Sequence, residues 1–313
     1  MSFLSVGIYF GVGPSWTCVF ASKGPVKAGL STRSVVSNGI ERCYLLYVPP
    51  GYDPALKVPV VFALHGLAGN PPGLRSMTGW ESVADGKNFL VVYPHGPSFP
   101  LRWNTSPAFK IEQIDDIQFI IDLLGDLGEI VSVDEERIYV SGFSNGAAMA
   151  DLVACSLADR IAAVGLVQGK GEDAPQDCTP TRPVPVIAFF GTEDPLVSAE
   201  YPLWFFHLMN LSPDPVYREG VPISAWLEGW VTRNGCNPNP QKLPAMGDAR
   251  GTSYVACADN AEVVIYHIEG GGHTWPGGSN LPFFGKSSAS VDASALMWDF
   301  FQRHPRADVD EQK

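Results

Sequence analysis

The apolar positions of the chain fall into short β-branched and aromatic runs that alternate with segments of helical spacing. The predicted strands are Tyr44 to Val48, Val58 to Leu64, Phe89 to Tyr93, Arg137 to Ser141, Ala162 to Val167, Val184 to Phe190 and Val263 to Ile268. Several of these runs are apolar almost throughout, which is typical of strands that are buried on both faces. The alternation predicts an α/β fold with a mostly parallel sheet and helices on both sides.

The clearest helical repeat places four apolar residues on one face: Ile114, Ile117, Ile121 and Leu124. Asp115 and Asp116 stand in its first turn, where carboxylates complement the helix dipole. Residues 289–303 are predicted to close the chain as a last helix.

Residues 195–234 interrupt the alternation of predicted strands and helices, because large apolar and aromatic residues are concentrated there and two prolines follow them. We interpret this segment as an insertion. A helix packed into the core and a lid over a binding site both fit its composition. Under the lid hypothesis, residues 201–211 form one wall of a substrate pocket, and Trp204 and Phe205 contact the substrate.

The start of the chain is apolar and aromatic, and this stretch ends at Ala21 with the spacing of small residues that is typical of a peptidase cleavage site. These features predict a leader peptide over residues 1–21 and export to the extracellular space or the periplasm. Since no Lys or Arg precedes the apolar run, a misassigned start codon and a buried N-terminal strand are the alternatives. No apolar run is long enough for a membrane span. The formal net charge of -12 opposes a nucleic-acid partner, which would require clustered positive charge.

The chain has six cysteines and no C-x-x-C pair: Cys18, Cys43, Cys155, Cys178, Cys236 and Cys257. A zinc site therefore has no local support, and no metal ligands are assigned. We expect Cys155 to pair with Cys178 and Cys236 with Cys257, because each pair brackets a short loop segment. If Cys18 is removed with the leader, Cys43 stays unpaired. If Cys18 is retained, Cys43 can pair with it. Reduced, buried cysteines are the remaining alternative.

The segment Gly142-Phe143-Ser144-Asn145-Gly146 lies between a predicted strand and a predicted helix. This context is typical of a nucleophile elbow, in which small residues permit a sharp turn and the serine hydroxyl projects above the sheet. Ser144 is therefore the candidate nucleophile.

A serine hydroxyl needs a base to take its proton, and the base needs a carboxylate to orient it. Asp194 follows the predicted strand that ends at Phe190, at the edge of the sheet where α/β sites collect, and Glu193 is the local alternative. His273 stands in a glycine-rich loop after the last predicted strand. We predict that Asp194 orients His273, which acts as the base.

His65 and Gly66 follow the strand Val58 to Leu64, where an oxyanion loop is expected. We interpret His65 as a residue that shapes this loop. The backbone amide of Asn145 is one predicted oxyanion donor. Leu67 is the other, with Ala68 as the alternative.

These motifs resemble the extracellular poly(3-hydroxybutyrate) depolymerase-like esterases, a group that includes feruloyl and acetylxylan esterases. The matching stretches are Tyr44 to Pro49, His65-Gly66, Tyr93-Pro94, Trp103-Asn104, Asp115-Asp116 with Phe119-Ile120, Gly142 to Gly146 with Met149, Gly191-Thr192 with Asp194, Asn234 to Cys236, and Gly270 to Gly278. The chain departs from the family pattern at His95, where Asp is usual, at Ala147, where Gly is common, and in the length of the aromatic insertion. These departures leave the residues of the predicted triad unchanged, but they make the family's substrate preference an uncertain guide to that of this chain.

The resemblance implies an α/β-hydrolase fold, a single catalytic domain over residues 22–313, ester hydrolysis without a metal or cofactor, and disulfides like the two pairs above. Trp103, Trp275 and the aromatic insertion favour a flat or apolar substrate such as a plant cell-wall feruloyl ester, although core packing also explains the two tryptophans. A hydroxybutyrate oligomer or other polyester is the second expectation. An acetylxylan esterase, a serine peptidase and a non-catalytic polymer-binding protein are more remote alternatives.

Overall fold

A computed structural model describes residue 18 and residues 21–97, 100–106, 110–171, 178–196, 221–280 and 284–307. The predicted pocket wall at residues 201–211, with Trp204 and Phe205, lies outside the described residues. Most of the predicted leader, residues 1–17 and 19–20, lies outside them as well.

Ten strands of the described chain form one sheet in the order β1-β2-β4-β3-β5-β6-β7-β10-β9-β8. Their bounds are β1 Gly29–Ser37, β2 Ile40–Val48, β3 Val58–Leu64, β4 Leu90–Pro94, β5 Val133–Phe143, β6 Ala163–Val167, β7 Val186–Gly191, β8 Gln241–Lys242, β9 Ala249–Tyr254 and β10 Val263–Ile268. The strands from β4 to β10 in this order are parallel, and antiparallel strands flank them on both sides. The carboxyl ends of the parallel strands therefore meet at one edge, which is where the candidate loops begin.

Helices cover both faces of the sheet. Their bounds are α1 Pro71–Thr78, α2 Trp80–Lys87, α3 Asp116–Ile130, α4 Asn145–Ser156, α5 Ile223–Arg233 and α6 Ala293–Phe301. Apolar residues of α3, α4 and α5 pack on one face, and those of α1, α2 and α6 pack on the other. Strand β5 serves both layers, because Ile138 and Val140 point to the first while Tyr139 points to the second.

Side-chain caps explain where several helices begin. Asn70 accepts a hydrogen bond from Gly73 N at 2.8 Å, and Asp115 accepts one from Gln118 N at 2.9 Å. Asp292 does the same for α6. Each cap satisfies a backbone donor that has no partner inside the helix.

The predicted mostly parallel sheet with helices on both faces is confirmed, and every predicted strand overlaps an observed one. The polar edge strands β1, β8 and β9 were not predicted. Within residues 195–234, the alternative of a helix packed into the core holds for residues 223–233, which form α5 and bury Trp226 and Trp230. This part of residues 195–234 is therefore a packed helix and not a lid.

Three disulfides link Cys18 to Cys43, Cys155 to Cys178 and Cys236 to Cys257. The second and third are the predicted pairs. Cys43 is not left unpaired, since the bridge to Cys18 ties the start of the described chain to β2.

Candidate active site

The Ser144 turn joins the end of β5 to the start of α4. Ser144 has φ 55° and ψ -121°, a strained conformation for a residue with a side chain. A Cβ at Gly142 would overlap the Gly146 carbonyl, and one at Gly146 would overlap the Leu64 carbonyl. Glycine is therefore required on both sides of Ser144, which explains the spacing of the motif.

His273 and Asp194 form a buried pair. His273 Nδ1 lies 2.7 Å from Asp194 Oδ2, and the two residues are 4% and 0% exposed. Asp194 Oδ1 accepts a second hydrogen bond from Leu196 N at 2.7 Å. Since a carboxylate accepts and does not donate, the proton lies on His273 Nδ1, and Nε2 is the nitrogen that can act as a base.

Glu193 has a different environment from its neighbour. Its side chain is exposed, and its backbone N–H donates to Gly271 O at 2.9 Å. The structure therefore brings Asp194, and not Glu193, to the imidazole of His273.

The base loop and the oxyanion loop both approach the Ser144 turn. The His273 ring centroid lies 5.0 Å from that of Phe143, the residue before Ser144. On the other side, a Cβ placed on Gly66 would lie 3.1 Å from Ser144 Cβ. The three predicted segments thus converge at the carboxyl edge of the sheet.

The hydrogen bond of Ala68 bears on the predicted oxyanion donors. Ala68 N donates to Leu101 O at 2.7 Å, so this amide already has an acceptor inside the protein. Leu67 is favoured over Ala68 for that reason. Asn145 begins α4, where the first backbone N–H groups have no acceptor within the helix.

His65 is buried, and both of its ring nitrogens are hydrogen-bonded to backbone groups. Nε2 accepts a hydrogen bond from Gly96 N at 2.9 Å, and Nδ1 lies 2.8 Å from Gly66 O. Because a backbone N–H can only donate, Nε2 carries no proton and Nδ1 donates to the Gly66 carbonyl. Burial lowers the pKa of His65 to about 3. His65 is thus a neutral side chain that holds the oxyanion loop.

The buried rings of Trp103 and Trp275 correct the expectation of substrate contact. Trp103 is 0% exposed, and its indole N–H donates to His65 O at 2.8 Å. Trp275 is 1% exposed, and its indole N–H donates to Ser294 Oγ at 3.2 Å. Both rings are packed in the interior, so they shape the loops and offer no surface to a ligand.

Asn145 joins the nucleophile helix to the Trp103 loop. Its Oδ1 accepts from Trp103 N at 2.8 Å, and its Nδ2 donates to Thr105 Oγ1 at 3.0 Å. These contacts fix the residue whose backbone amide is a predicted oxyanion donor. The sequence singled out the amide of Asn145 but not this role of its side chain.

Two further residues around the site were not singled out from the sequence. Arg42 forms a buried ion pair with Asp116 at 2.7 Å, and Asp116 accepts from Asn104 N at 2.8 Å, which anchors the Trp103 loop. Gln168 follows β6, and its amide reaches both the base loop and the acid loop. Nothing in their local sequence marks either residue, because their partners are distant along the chain.

A cavity of about 270 Å³ lies beside α4. Its walls combine apolar and polar groups from Thr105, Ala148, Asp151, Leu152, Cys155, Ser156, Gly171, Cys178, Thr179, Val221, Trp226 and Arg233. Two of its lining residues lie near the Ser144 turn, because Thr105 bonds Asn145 and Ala148 is one helical turn after Ser144. Ser144, Asp194 and His273 are not among the lining residues.

Asp151 lies at the wall of this cavity, between α4 and α5. Its Oδ1 accepts hydrogen bonds from the indole N–H groups of Trp226 at 2.9 Å and Trp230 at 2.8 Å. Burial raises the pKa of Asp151, and the two indole hydrogen bonds oppose this rise.

Across the described part of the chain, no cluster of three His, Cys, Asp or Glu side chains has the geometry of a metal site. No helix among the described residues is long and apolar enough to cross a membrane.

The chain is similar to a known family and to curated esterases. The family model described as Esterase PHB depolymerase matches residues 42–174. NocK of Nocardia uniformis subsp. tsuyamanensis, a protein with a provisional esterase assignment, is 29% identical over 80% of this chain and 76% of its own length. Feruloyl esterase C of Emericella nidulans is 24% identical over 92% of this chain and 94% of its length. Feruloyl esterase B of Piromyces equi is 26% identical over 74% of this chain, which spans 42% of that longer protein.

Solved structures show the same fold at low identity. An acetyl xylan esterase from Aspergillus awamori superposes with a TM-score of 0.59 at 16% identity, covering 87% of this chain and 99% of that one. A CE1 ferulic acid esterase from Anaeromyces mucronatus, solved with ferulic acid, superposes with a TM-score of 0.52 at 17% identity, covering 94% and 98%. Residues 42–174 thus match the Esterase PHB depolymerase model, and the chain is a carboxylic-ester hydrolase of the α/β-hydrolase fold.

Proposed function

We propose that the chain cleaves esters by acyl transfer to Ser144, with His273 as the base and Asp194 as the carboxylate that orients it. The observation that carries the proposal is the buried 2.7 Å contact between His273 Nδ1 and Asp194 Oδ2, beside a strained serine turn. A carboxylate that orients a histidine beside a serine is the arrangement that acyl transfer through serine requires.

The proposed reaction has two halves. Ser144 Oγ attacks the ester carbonyl carbon while His273 Nε2 takes the hydroxyl proton, and the backbone amides of Leu67 and Asn145 donate to the developing oxyanion. The imidazolium, stabilised by Asp194, then gives its proton to the leaving alcohol. Water, activated by the same His273, releases the acid from Ser144 and restores the hydroxyl.

Substitution of Ser144 and of Asp194 tests the proposal. Ser144→Ala is expected to lower kcat by about a million-fold, and Asp194→Asn by about ten-thousand-fold, because the groups act as a unit. Circular dichroism of both variants should match the parent protein. Glu193→Gln is the matched control, and it should retain kcat because its side chain is exposed. Near-normal turnover by a folded Ser144→Ala variant, or a damaging Glu193→Gln, contradicts this assignment.

For the substrate, we propose a hydroxycinnamate ester of the feruloyl type. Relatives named feruloyl esterase span most of the chain, which supports this choice. The cavity beside α4 supports it as well, because its mixed apolar and polar walls suit an aromatic ring with hydroxyl groups or the alcohol side of such an ester. A polyester such as a hydroxybutyrate oligomer is the second candidate, favoured by the matching family model.

Parallel assays distinguish the two candidates. Methyl ferulate, p-nitrophenyl esters of increasing acyl length and a hydroxybutyrate oligomer should be compared by kcat/KM. We also retain the sequence-based proposal that Trp204 and Phe205 contact the substrate. Their substitution by Ala should then weaken feruloyl turnover and barely change acetyl turnover, since burying a large aromatic group rather than a methyl is worth about 1–3 kcal/mol. An equal loss on both esters, together with lower stability, contradicts the contact.

We propose further that the protein is exported. Three disulfides support an oxidising compartment such as the extracellular space or the periplasm, because cytosolic thiols are kept reduced.

A further inference from the structure

The side chain of Gln168 lies where the loops that carry the proposed base and acid meet. It is 2% exposed. Its Nε2 donates to Gly272 O at 2.7 Å and to Thr274 O at 3.3 Å, which are the carbonyls on either side of His273. Its Oε1 accepts from Gly191 N at 2.9 Å, in the turn that leads to Asp194. One amide therefore spans both loops.

The chemistry of these contacts requires an amide. Two carbonyls need two N–H groups, and one backbone N–H needs an acceptor, which is the complement that a primary amide supplies. An ionised carboxylate of the same shape would face two carbonyl oxygens with no hydrogen to donate. A thioether of similar length would leave all three backbone groups without this partner.

The backbone around Gln168 contacts both the strand that leads to the Asp194 loop and the Ser144 turn. Gln168 has φ 53°, an uncommon value for a residue with a side chain, and its N–H donates to Phe189 O at 2.9 Å. The preceding residue, Val167, accepts from Ser144 N at 2.9 Å. A Cβ on the following residue, Gly169, would overlap the Ser144 carbonyl. Residues 167–169 thus contact the elements that carry all three members of the proposed triad.

We propose that Gln168 is a positioning residue that holds the His273 imidazole in register with Ser144 and Asp194 by fixing the peptide groups on both sides of His273. This inference rests on the proposed triad. Loss of the amide releases the base loop, so it lowers the rate of proton transfer more than it lowers substrate binding.

The test is Gln168→Met, which keeps the length and the positive-φ strain and removes the hydrogen bonds. We expect kcat to fall about 10- to 100-fold with KM little changed, because a displacement of about 1 Å in a reacting group costs on the order of 100-fold in rate. The low-field proton resonance of His273 Nδ1 should broaden or shift in the variant. A purely structural role would change neither kcat per folded molecule nor this resonance.

Asn234 provides a matched control. It is a buried amide that also donates to two carbonyls, Val184 O at 2.7 Å and Ala261 O at 2.8 Å, and accepts from Val184 N at 3.1 Å, but it touches none of the proposed catalytic loops. Asn234→Leu should lower stability while keeping kcat per active site and the low-field resonance.

The outcomes separate this inference from the proposed function. If Ser144→Ala is inactive while Gln168→Met keeps parental kcat and the parental resonance, the positioning role is overturned and the triad stands. If Ser144→Ala is active, the triad fails and the positioning role fails with it. Should Gln168→Met not fold, Gln168→Glu is assayed with kcat expressed per serine titrated by an acyl burst, and a parental value again overturns the role.

Discussion

At the scale of single residues, His65 links the pH response of the fold to the predicted oxyanion loop. Its pKa is lowered from 6.5 to about 3 by burial, so the folded protein keeps this ring neutral in mild acid. The unfolded chain binds a proton at His65 near pH 6.5. Acidification between these values therefore stabilises the unfolded chain, and the free energy of unfolding falls as the pH falls.

We expect His65 to contribute a slope of about 1.4 kcal/mol per pH unit between pH 6.5 and about 3. Urea unfolding of the parent protein and of His65→Asn at several pH values in this window measures it. The variant should be less stable at pH 7 but lose stability less steeply on acidification. His267 provides a comparison at an exposed position of β10; because partial burial lowers its pKa too, His267→Asn should keep most, but not all, of the parental slope. Equal slopes for the parent and His65→Asn contradict a neutral, buried His65.

Residues of the candidate site differ in how far the sequence could predict them. Ser144, Asp194 and His273 stand in short local motifs that follow predicted strands, so the order of motifs and strands was sufficient to nominate them. The structure brings His273 and Asp194 within 2.7 Å. Gln168 and Arg42 have no such motif, since each acts through partners that the fold brings together: Gln168 contacts a carbonyl 104 residues away. The two tryptophans were ambiguous because aromatic composition does not distinguish a packed ring from a binding surface.

At the scale of elements, α4 and α5 are joined through a single carboxylate. Asp151 on α4 receives the indole hydrogen bonds of Trp226 and Trp230, which lie one turn apart on α5. The contact connects the helix that begins after Ser144 to the described end of the segment 195–234. Its loss would leave two buried donors without an acceptor.

Asp151→Leu is expected to lower the free energy of unfolding strongly, because each unpaired buried donor costs about 1–3 kcal/mol. Asp151→Asn keeps an oxygen of the same position and should cost much less. Urea unfolding of the two variants checks this order. If the two variants lose equal stability, the indole hydrogen bonds are not what joins α4 to α5.

The strands that could be predicted from the sequence are those made mainly of apolar residues. Strands β3, β4 and β6 are buried throughout, so their composition alone marks them. Strand β1 lies at the edge of the sheet and contains the polar run from Ser31 to Ser34, and β9 carries Arg250, Thr252 and Ser253, so neither stands out from a loop. For the segment that contains α5, the sequence left a packed helix and a lid as alternatives, because a single sequence does not show where an insertion returns to the core.

At the scale of the whole molecule, three disulfides each close a loop of the described chain. Their sequence separations are 25, 23 and 21 residues. Chain-entropy arguments assign about 3 kcal/mol to loops of this size, so reduction should lower stability by several kcal/mol in total. The bridge from Cys18 to Cys43 also bears on the predicted leader, because cleavage after Ala21 would remove it.

We therefore expect the exported protein to begin at or before Cys18. N-terminal sequencing, together with mass mapping under non-reducing conditions, should find Cys18 linked to Cys43. The variant Cys43→Ser should lose about 3 kcal/mol of unfolding free energy in urea and leave the other two bridges intact. A mature chain that begins at Ser22, with a free thiol at Cys43, contradicts this expectation.

The strained backbone around the site has a consequence for directed evolution of this enzyme. Ala68, Ser144 and Gln168 have φ values of 58°, 55° and 53°, although none of them is glycine. Each such residue costs on the order of 1–3 kcal/mol, and glycine would relieve the strain. A screen that rewards heat resistance alone would therefore enrich substitutions such as Ser144→Gly, which remove the proposed nucleophile. Any library built on this scaffold has to be selected for turnover and stability together, because at these positions the two requirements point to different amino acids.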